Sequence, residues 1–426
     1  MLFERMRLPL GIAIALTVAG CATVAGTPAP GEIDVRTLDV GKYSTEPLDT
    51  YDEFIHSLKS GATLAAMRLS DQVVIGLDFD PTLKYGSGVH EVADVIDPPS
   101  TGLTDLDEIM STASADVAER HQALFGFASG SSDTPPIAFS KNQAPGTRVT
   151  ITVLQFGDTA TAATAAREMD SADFDVAKDQ NESVVLQKYP AAHAHWRPGT
   201  PTLGATIAHG QYVVNVFAAT IEADRTKLTD LVEKTLAAQL PMLDALPPLS
   251  AEQVLRLEPD MDMIRRNLTT LKSNHPSMTI QAAFGLRGFL HWQTDREEAR
   301  QLYSEARADR FAVSEAYTTS FDLAQGIASS FGSGQPRSLN GGFIARAGDE
   351  DAARVLWTKI LDAPDASKAP TGLPNTKCAQ QESRGSVNEF ACALRYGKFV
   401  GLVWSSQLID AQQRASAQYA LLANSY

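Results

Sequence analysis

An apolar run occupies most of the first twenty residues of the chain. It covers residues 8–20 with two interruptions and follows the basic residues Arg5 and Arg7. A helix that crosses a membrane needs about 20 apolar residues, so this run is too short. A basic start, a short apolar run and small residues at its end are typical of a secretory signal peptide. We therefore predict that residues 1–20 are an export signal.

The end of this run resembles a bacterial lipobox, in which an aliphatic residue and two small residues precede a cysteine. The residues are Val18-Ala19-Gly20-Cys21. The resemblance implies lipid attachment to the sulfur of Cys21 and cleavage before it, and two or three acyl chains anchor a protein stably. Small, uncharged and proline-bearing residues follow, so we predict a flexible tether over residues 21–38. The alternative is a plain signal peptide with an incidental cysteine.

A pattern of glycine, polar residue, aromatic residue and valine recurs along the chain. It appears at residues 209–217 and again at residues 396–404. Apolar side chains fall on both faces of each segment, which is typical of a central strand. A helical pattern follows each segment, over about residues 223–240 and 409–423. We interpret the two stretches as copies of one strand-and-helix unit.

A second pair of similar segments lies upstream of the first. Residues 149–156 lead to Gly157-Asp158, and residues 342–347 lead to Gly348-Asp349. Glycine permits a tight turn, and aspartate is a good N-cap for the helix that follows. Each half therefore has the order strand, helix, strand, strand, helix. We predict an α+β fold of two related modules, each a small sheet covered by helices.

A proline-bearing segment separates the two halves, and helical patterns lie in the front portion of each. Pro247-Pro248 stops a helix, which predicts a first module over residues 39–248 and a second over 249–426. Thr294 and Glu297 fit a capping box at a helix start. The helices predicted in the front portions cover residues 105–127, 251–271 and 294–331.

Two cysteines, Cys378 and Cys392, lie beyond the predicted signal. In an oxidising compartment they would most simply pair, closing a loop of about 15 residues worth roughly 3 kcal/mol. A metal site or a catalytic thiol is the alternative, but the neighbourhood offers no histidine and no Cys-x-x-Cys spacing. The repeat places Cys378 opposite residues 191–193 and Cys392 opposite about Ala205. The disulfide would then join two arms of a hairpin that the first half builds without one.

Composition and charge exclude some classes of protein. The chain has 426 residues, of which 44% are hydrophobic, with 36 Lys and Arg against 51 Asp and Glu and a net charge of −15. This is a globular composition with enough residues for two domains. A net acidic chain lacks the clustered cations that contact phosphates, so we expect no nucleic-acid partner.

An acidic motif follows the apolar residues 73–77, which we predict to be a strand. The sequence Asp78-Phe79-Asp80-Pro81-Thr82 resembles the first motif of haloacid-dehalogenase-type phosphatases. The resemblance implies that Asp78 is the nucleophile and Asp80 the general acid, with Mg²⁺ at the phosphate. Asp349 could be offered as the later acidic motif, but its counterpart Asp158 explains it as a helix cap. The alternative is a strand that ends in an Asp-Pro turn.

Three histidines lie close together in the sequence of the first half. His193 and His195 fall on one face of a predicted strand, and His209 lies nearby. A metal site would need a third ligand and supporting groups. The predicted hairpin gives these residues a structural role instead, so we predict no metal and no other cofactor.

The two ends of the chain beyond Cys21 resemble an uncharacterised family of secreted lipoproteins from mycolic-acid-bearing actinobacteria. The resemblance lies in residues 24–48 and 392–423. It implies secretion, lipidation and a location at the extracytoplasmic face of the plasma membrane, but it brings no catalytic residues. We therefore expect a lipid-anchored binding or interaction module without catalysis. Its ligand would be an envelope lipid, glycan or protein, bound in a cleft between the modules. The alternative is an envelope hydrolase of the phosphatase type that uses Asp78 and Asp80.

Overall fold

The structure is a computed structural model that describes most of the chain beyond the N-terminus. The described residues are 33–47, 49, 56–95, 105–136, 145–260, 263–272, 279–316, 340–363, 368–380 and 390–425. The predicted signal peptide, Cys21 and most of the predicted tether lie outside them. The chain from Val35 to Tyr426 forms one compact unit. Among the described residues, no helix is both long and apolar enough to cross a bilayer.

The first module contains a seven-stranded antiparallel sheet in the order β1-β2-β3-β7-β6-β5-β4. Its elements in chain order are α1 (Leu58–Ser70), β1 (Tyr85–Val92), α2 (Thr112–Arg120), β2 (Phe125–Ser132), β3 (Arg148–Gln155), α3 (Thr159–Asp175), β4 (Glu182–Ser183), β5 (His193–Trp196), β6 (Thr202–His209), β7 (Tyr212–Ala219) and α4 (Arg225–Asp244).

The second module contains a six-stranded antiparallel sheet in the order β11-β12-β13-β10-β9-β8. Its elements are α5 (Ala251–Leu255), β8 (Thr279–Phe284), α6 (Leu286–His291), α7 (Arg296–Glu305), β9 (Arg310–Ala316), β10 (Asn340–Arg346), α8 (Glu350–Lys359), β11 (Thr376–Gln380), β12 (Phe390–Tyr396), β13 (Phe399–Ser405) and α9 (Leu408–Ser425). The predicted α+β fold with two helix-covered sheets is confirmed, and each module has more strands than the repeat alone predicted.

The two modules are built to one plan. In sheet order, the strands β1-β2-β3-β7-β6-β5 of the first sheet correspond to β8-β9-β10-β13-β12-β11 of the second. Asp158 caps α3 by accepting the N–H of Thr161, and Asp349 caps α8 by accepting the N–H of Ala352, both at 2.8 Å. These are the two caps that the Gly-Asp pairs predict.

Each module has a buried glutamine that makes the same two hydrogen bonds. In α4, the side-chain amide of Gln239 accepts from one N–H and donates to one carbonyl of residues 72–74, at 2.9 and 2.8 Å. In α9, the amide of Gln418 makes the same two bonds to residues 267–269, at 3.0 and 2.6 Å. Each glutamine fixes the extended segment that precedes the first strand of its own module.

Several predicted helices are shorter than the sequence pattern suggested. Residues 105–127 contain a 3-10 turn, then α2 and the start of β2. The described positions of residues 251–271 contain α5 and a 3-10 turn at Arg265–Asn267, and the described part of residues 294–331, which ends at residue 316, passes from α7 into β9. The strands β2 and β9 are rich in small residues, and a buried strand of this kind lacks the alternation that distinguishes it from a helix.

Three local predictions are also wrong in detail. The apolar residues 73–77 do not form a strand but lead into a 3-10 turn at Gly76–Asp78. The N-cap of α7 is Asp295, whose carboxylate accepts from the N–H groups of residues 297 and 298, instead of Thr294. The helix α4 continues through Pro241 to Asp244.

The core of the molecule is shared between the modules. The helices α2 and α3 cover one face of the first sheet with their own apolar cluster. The other face joins the second sheet in a continuous core that includes Val153, Val214, Phe284, Phe289 and Phe311. Because each module contributes to the same buried cluster, the two sheets form one folded body.

A segment near the N-terminus packs on the second module, although the sequence assigned it to the first. We call residues 39–45 the N-terminal strap. The hydroxyl of Tyr43 donates to Asp410 of α9 at 2.8 Å, and the ammonium of Lys42 lies 3.0 Å from the same carboxylate. Tyr43 is only 2% exposed. The strap therefore ties the chain entering the body to the C-terminal helix.

The predicted disulfide between Cys378 and Cys392 is present in the second sheet. The two residues face each other on β11 and β12, and both are buried. In the first sheet, Ala194 on β5 faces Ala205 on β6 in the corresponding position. The repeat had placed this pair within one residue, at 191–193 and about 205.

We expect the double substitution Ala194→Cys with Ala205→Cys to form a second disulfide without disturbing the sheet. The two alanines are buried and directly paired, as the two cysteines are in the other sheet. The short loop closed would stabilise the protein by about 3 kcal/mol. Non-reducing mass spectrometry would detect the link, and the urea midpoint would fall on reduction. Ala192→Cys with Ala205→Cys is the off-register control. Free thiols at 194 and 205 under oxidising conditions would contradict the prediction.

Candidate functional site

The junction between the modules is centred on a buried arginine. Arg296 begins α7 in the second module, is 0% exposed and points at the first sheet. Its guanidinium donates to the hydroxyls of Ser131 and Ser129 on β2, at 2.7 and 3.1 Å, and to the carbonyl of His291 at 3.0 Å. Gly86 lies against it, and a Cβ there would come within 3.2 Å of the guanidinium. Neutral oxygens therefore hold this cation in the described structure.

A buried histidine lies beside the arginine, and its contacts fix its tautomer. Nδ1 of His291 is 2.7 Å from the hydroxyl of Ser129, and Nε2 is 3.0 and 3.1 Å from the carbonyls of Ser70 and Val73. Carbonyl oxygens only accept, so Nε2 carries the hydrogen. Nδ1 then accepts the hydroxyl proton of Ser129, whose oxygen accepts from Arg296.

The electrostatics of the junction keep His291 neutral. Burial lowers the pKa of His291 well below its usual value, and the charges of Arg296 and Arg287 lower it further. Nδ1 of His291 and Nη2 of Arg296 contact the same hydroxyl oxygen, so they lie at most about 6 Å apart. Two cations at that distance repel by about 3 kcal/mol at an effective dielectric constant of about 20. The site therefore accommodates one positive charge.

A carboxylate of the first module caps a helix of the second. Asp71, which follows α1, accepts the backbone N–H groups of Gly285 and Gly288 at the start of α6, both at 2.8 Å. A Cβ on Gly285 would lie 2.6 Å from the carboxylate, so the cap requires glycine there. Burial raises the pKa of Asp71, and the two N–H groups act against that rise. The helix end and the carboxylate come from different modules.

The residues of the phosphatase-like motif lie at the edge of this junction. The carboxylate of Asp78 pairs with Arg287 of α6 and accepts the N–H of Ile75 at 2.9 Å. Asp80 accepts the backbone N–H and the hydroxyl of Thr82, at 2.9 and 2.7 Å. Asp78 thus joins the modules and Asp80 closes a local turn, and the geometry favours these structural roles.

The three histidines of the first half do not converge on one site. His195 lies between two carboxylates of α3, with Nδ1 2.9 Å from Asp170 and Nε2 3.4 Å from Asp173. His209 contacts Asp244 instead, at 2.6 Å. Within the described ranges, no group of three or more His, Cys, Asp or Glu side chains could hold a metal ion. Burial lowers the pKa of His195, but the hydrogen bonds and charges of the two aspartates outweigh it and raise that pKa to about 9.

An open cleft of about 460 Å³ lies on the first module, between the β4 edge of the sheet and the start of α4. This volume is within the range of small-molecule sites. The cleft is lined by Ser183, Val184, Val185, Gln187, Arg225, Thr226, Thr229, Asp230 and Glu233. It differs from the predicted cleft between the modules, because all its lining residues belong to the first.

Polar side chains of the cleft are available to a ligand. Arg225 lies over the ring of Trp196, 5.8 Å from its centre. Glu233 is engaged by the backbone and ammonium of Lys188, at 3.0 and 3.3 Å. Within the described part of the chain, no hydrogen bond is made by the side chains of Ser183, Gln187, Arg225, Thr226 and Thr229.

Family models match almost all of this body. Residues 55–259 match the domain of unknown function DUF7373, N-terminal, and residues 263–425 match its C-terminal counterpart. The chain belongs to the DUF7373 family. No curated protein matches the chain, and no solved structure does. The two matched regions meet close to residue 260, so the junction around Arg296 joins the N-terminal and C-terminal DUF7373 regions.

Sequence reasoning missed the residues of the junction. Ser129 lies in a run of small residues in β2, His291 ends the largely apolar helix α6, and Arg296 begins the polar helix α7. Their types and spacing match no catalytic or binding motif. Only the three-dimensional packing shows that they are buried and in contact. One weak signal was present for Ser129, because the residues around it are apolar enough to form a central strand.

His195 should make the protein lose stability as the pH rises above neutrality. Its pKa is higher in the folded chain, about 9, than the usual 6.5. Its contribution is therefore complete below pH 6.5 and lost as the pH rises towards 9. We expect the urea midpoint to fall more steeply over this range in the native chain than in His195→Gln. His193→Gln, on the same strand, is the control. Parallel curves for the native chain and His195→Gln would contradict the assignment.

Proposed function

We propose that this protein is a lipid-anchored lipoprotein of the actinobacterial cell envelope, held at the extracytoplasmic face of the plasma membrane by lipid on Cys21. The buried Cys378–Cys392 disulfide supports this location, because such bonds persist in oxidising compartments. The net charge of −15 also supports a covalent lipid, since an acidic protein gains nothing from the surface potential of anionic lipids.

We further propose that the folded body binds a ligand and does not catalyse a reaction. The observation that carries this proposal is the cleft beside α4, where five polar side chains make no hydrogen bond within the described residues. These groups can donate and accept hydrogen bonds in several directions, as a ligand with many hydroxyl groups requires.

The charges of the cleft favour a neutral glycan as the ligand. The carboxylates of Asp230 and Glu233 line it together with the cation of Arg225. The two carboxylates pair with Lys234 at 2.7 Å and Lys188 at 3.3 Å. A site that presents both donors and acceptors suits a ligand with many uncharged hydroxyl groups, which can both donate and accept. A neutral oligosaccharide could accept from Arg225 and donate to the carboxylates. An envelope lipid or protein would instead bury the exposed side chain of Val185 at the rim, which is 67% exposed.

The lipid anchor can be tested by replacing Cys21. In the producing cells, Cys21→Ala should move the protein from the detergent phase to the aqueous phase and remove the added acyl mass. The double variant Cys378→Ala with Cys392→Ala is the control, because it removes the other cysteines and should stay in the detergent phase. Unchanged membrane retention and mass of Cys21→Ala would refute lipidation at this residue.

Ligand binding can be tested with the full chain in detergent on an array of neutral and acidic oligosaccharides. We expect binding to a neutral oligosaccharide that Arg225→Gln and Thr229→Val each weaken about tenfold, as the loss of one hydrogen bond predicts. Lys227→Gln removes the same charge from the same helical turn without lining the cleft, and should bind as the native chain does. Equal binding by all three variants, or binding only to acidic oligosaccharides, would contradict the proposed site.

A further inference from the structure

His291 is a titratable residue of the junction that is fully shielded from solvent. Its ring is 0% exposed and lies 4.9 Å from the ring of Phe127, edge to face. Among the described residues, its nitrogens contact the hydroxyl of Ser129 and the carbonyls of Ser70 and Val73. These hydrogen-bond partners are all neutral.

The charged groups nearby do not offset a charge on this ring. Two cations face it, Arg296 of α7 and Arg287 of α6. The two carboxylates of the junction are engaged elsewhere, since Asp78 pairs with Arg287 and Asp71 accepts the N–H groups that begin α6. A proton on His291 would add a second buried cation beside Arg296.

Protonation of His291 at Nδ1 would also disturb the hydrogen bonds of the site. A protonated imidazole has two N–H donors. Nδ1–H would then point at the oxygen of Ser129, which already accepts from Arg296 at 3.1 Å. The hydroxyl proton of Ser129 would lose its acceptor at Nδ1. The oxygen of Ser129 can accept both N–H groups, but its own proton then lacks an acceptor, so charge and this lost hydrogen bond both disfavour the protonated form in the closed junction.

We propose that the junction is an acid-sensitive lock, in which uptake of one proton by His291 accompanies the release of the contacts between the two modules. The lock consists of His291, Arg296, Ser129 and the cap made by Asp71. Neutral pH keeps it closed, and acidification favours the open form, because only the open form exposes the ring to water. The sheets themselves contain no part of the lock other than β2.

Four backbone hydrogen bonds report directly on the closed junction. The N–H groups of Gly285 and Gly288 donate to Asp71, and those of Gly76 and Gly86 donate to Ser131 and to the carbonyl of residue 294. All four bonds join different modules or hold the segment beside Arg296. Loss of the junction exposes these N–H groups to exchange with solvent.

Hydrogen exchange of the full chain at pH 7.5 and pH 5.0 tests the lock. After correction for the intrinsic exchange rate, protection of the four junction N–H groups should fall about tenfold per pH unit below 6.5, or about 30-fold at pH 5.0. The hairpins β6-β7 and β12-β13 serve as the internal reference and should keep their protection. Full protection of the junction at pH 5.0, or an equal loss in the hairpins, would overturn the proposal.

Two variants separate His291 from other groups that titrate in the same range. His291→Gln can still donate to the carbonyls and accept from Ser129 but cannot take up a proton, so its junction should keep its protection at pH 5.0. His121→Gln changes a histidine that pairs with Glu168 on the first module and should behave as the native chain does. A 30-fold loss that persists in His291→Gln would refute the lock. If that variant does not fold, the ring ¹⁵N shifts of native His291 decide: a protonated ring in a closed junction refutes it.

Discussion

The structure depends on the burial of one arginine between two sheets. Moving a guanidinium out of water costs several kcal/mol unless good hydrogen bonds replace the lost hydration. Arg296 obtains three such bonds, from two serines of the first module and one carbonyl of the second, while its buried Nε–H has no partner among the described residues. Neither module can supply all three bonds alone. The arrangement therefore requires both modules at once, which explains why two related sheets behave as one folded body with a common core.

The duplicated features and the unique ones have different roles. Buried glutamines in α4 and α9 bind the segment before each sheet in the same way, and aspartates cap α3 and α8 in the same way. These shared contacts determine each sheet. The N-terminal strap and the junction around Arg296 occur once, and they determine how the copies are joined. A repeat thus specifies the modules, while unrepeated residues specify the assembly.

The difference between repeated and unrepeated features also explains which parts of the structure could be predicted from the sequence. The repeated strands are apolar on both faces, so their pattern predicts them, and the register of the hairpin even places Cys378 near its counterpart Ala194. The helix predicted over residues 105–127 runs into the start of β2, because the small residues of this strand show no alternation. Ser129, His291 and Arg296 could not be recognised, since their burial arises only when the modules pack. The cleft beside α4 could not be located either, because its lining residues lie in two separate stretches, 183–187 and 225–233, that meet only in the fold.

The outer hairpin differs between the two sheets, and this difference involves both the disulfide and the cleft. In the described part of the second sheet, β11 is the outermost strand, and the cystine fastens it to β12. In the first sheet, β4 pairs with β5 and occupies the position beyond it. An outer strand that is already paired needs no covalent link, and alanines suffice at 194 and 205. The strand β4, which pairs with β5 where the second sheet has a disulfide, also forms one wall of the cleft. The first module therefore has the cleft at the place where the second has the disulfide.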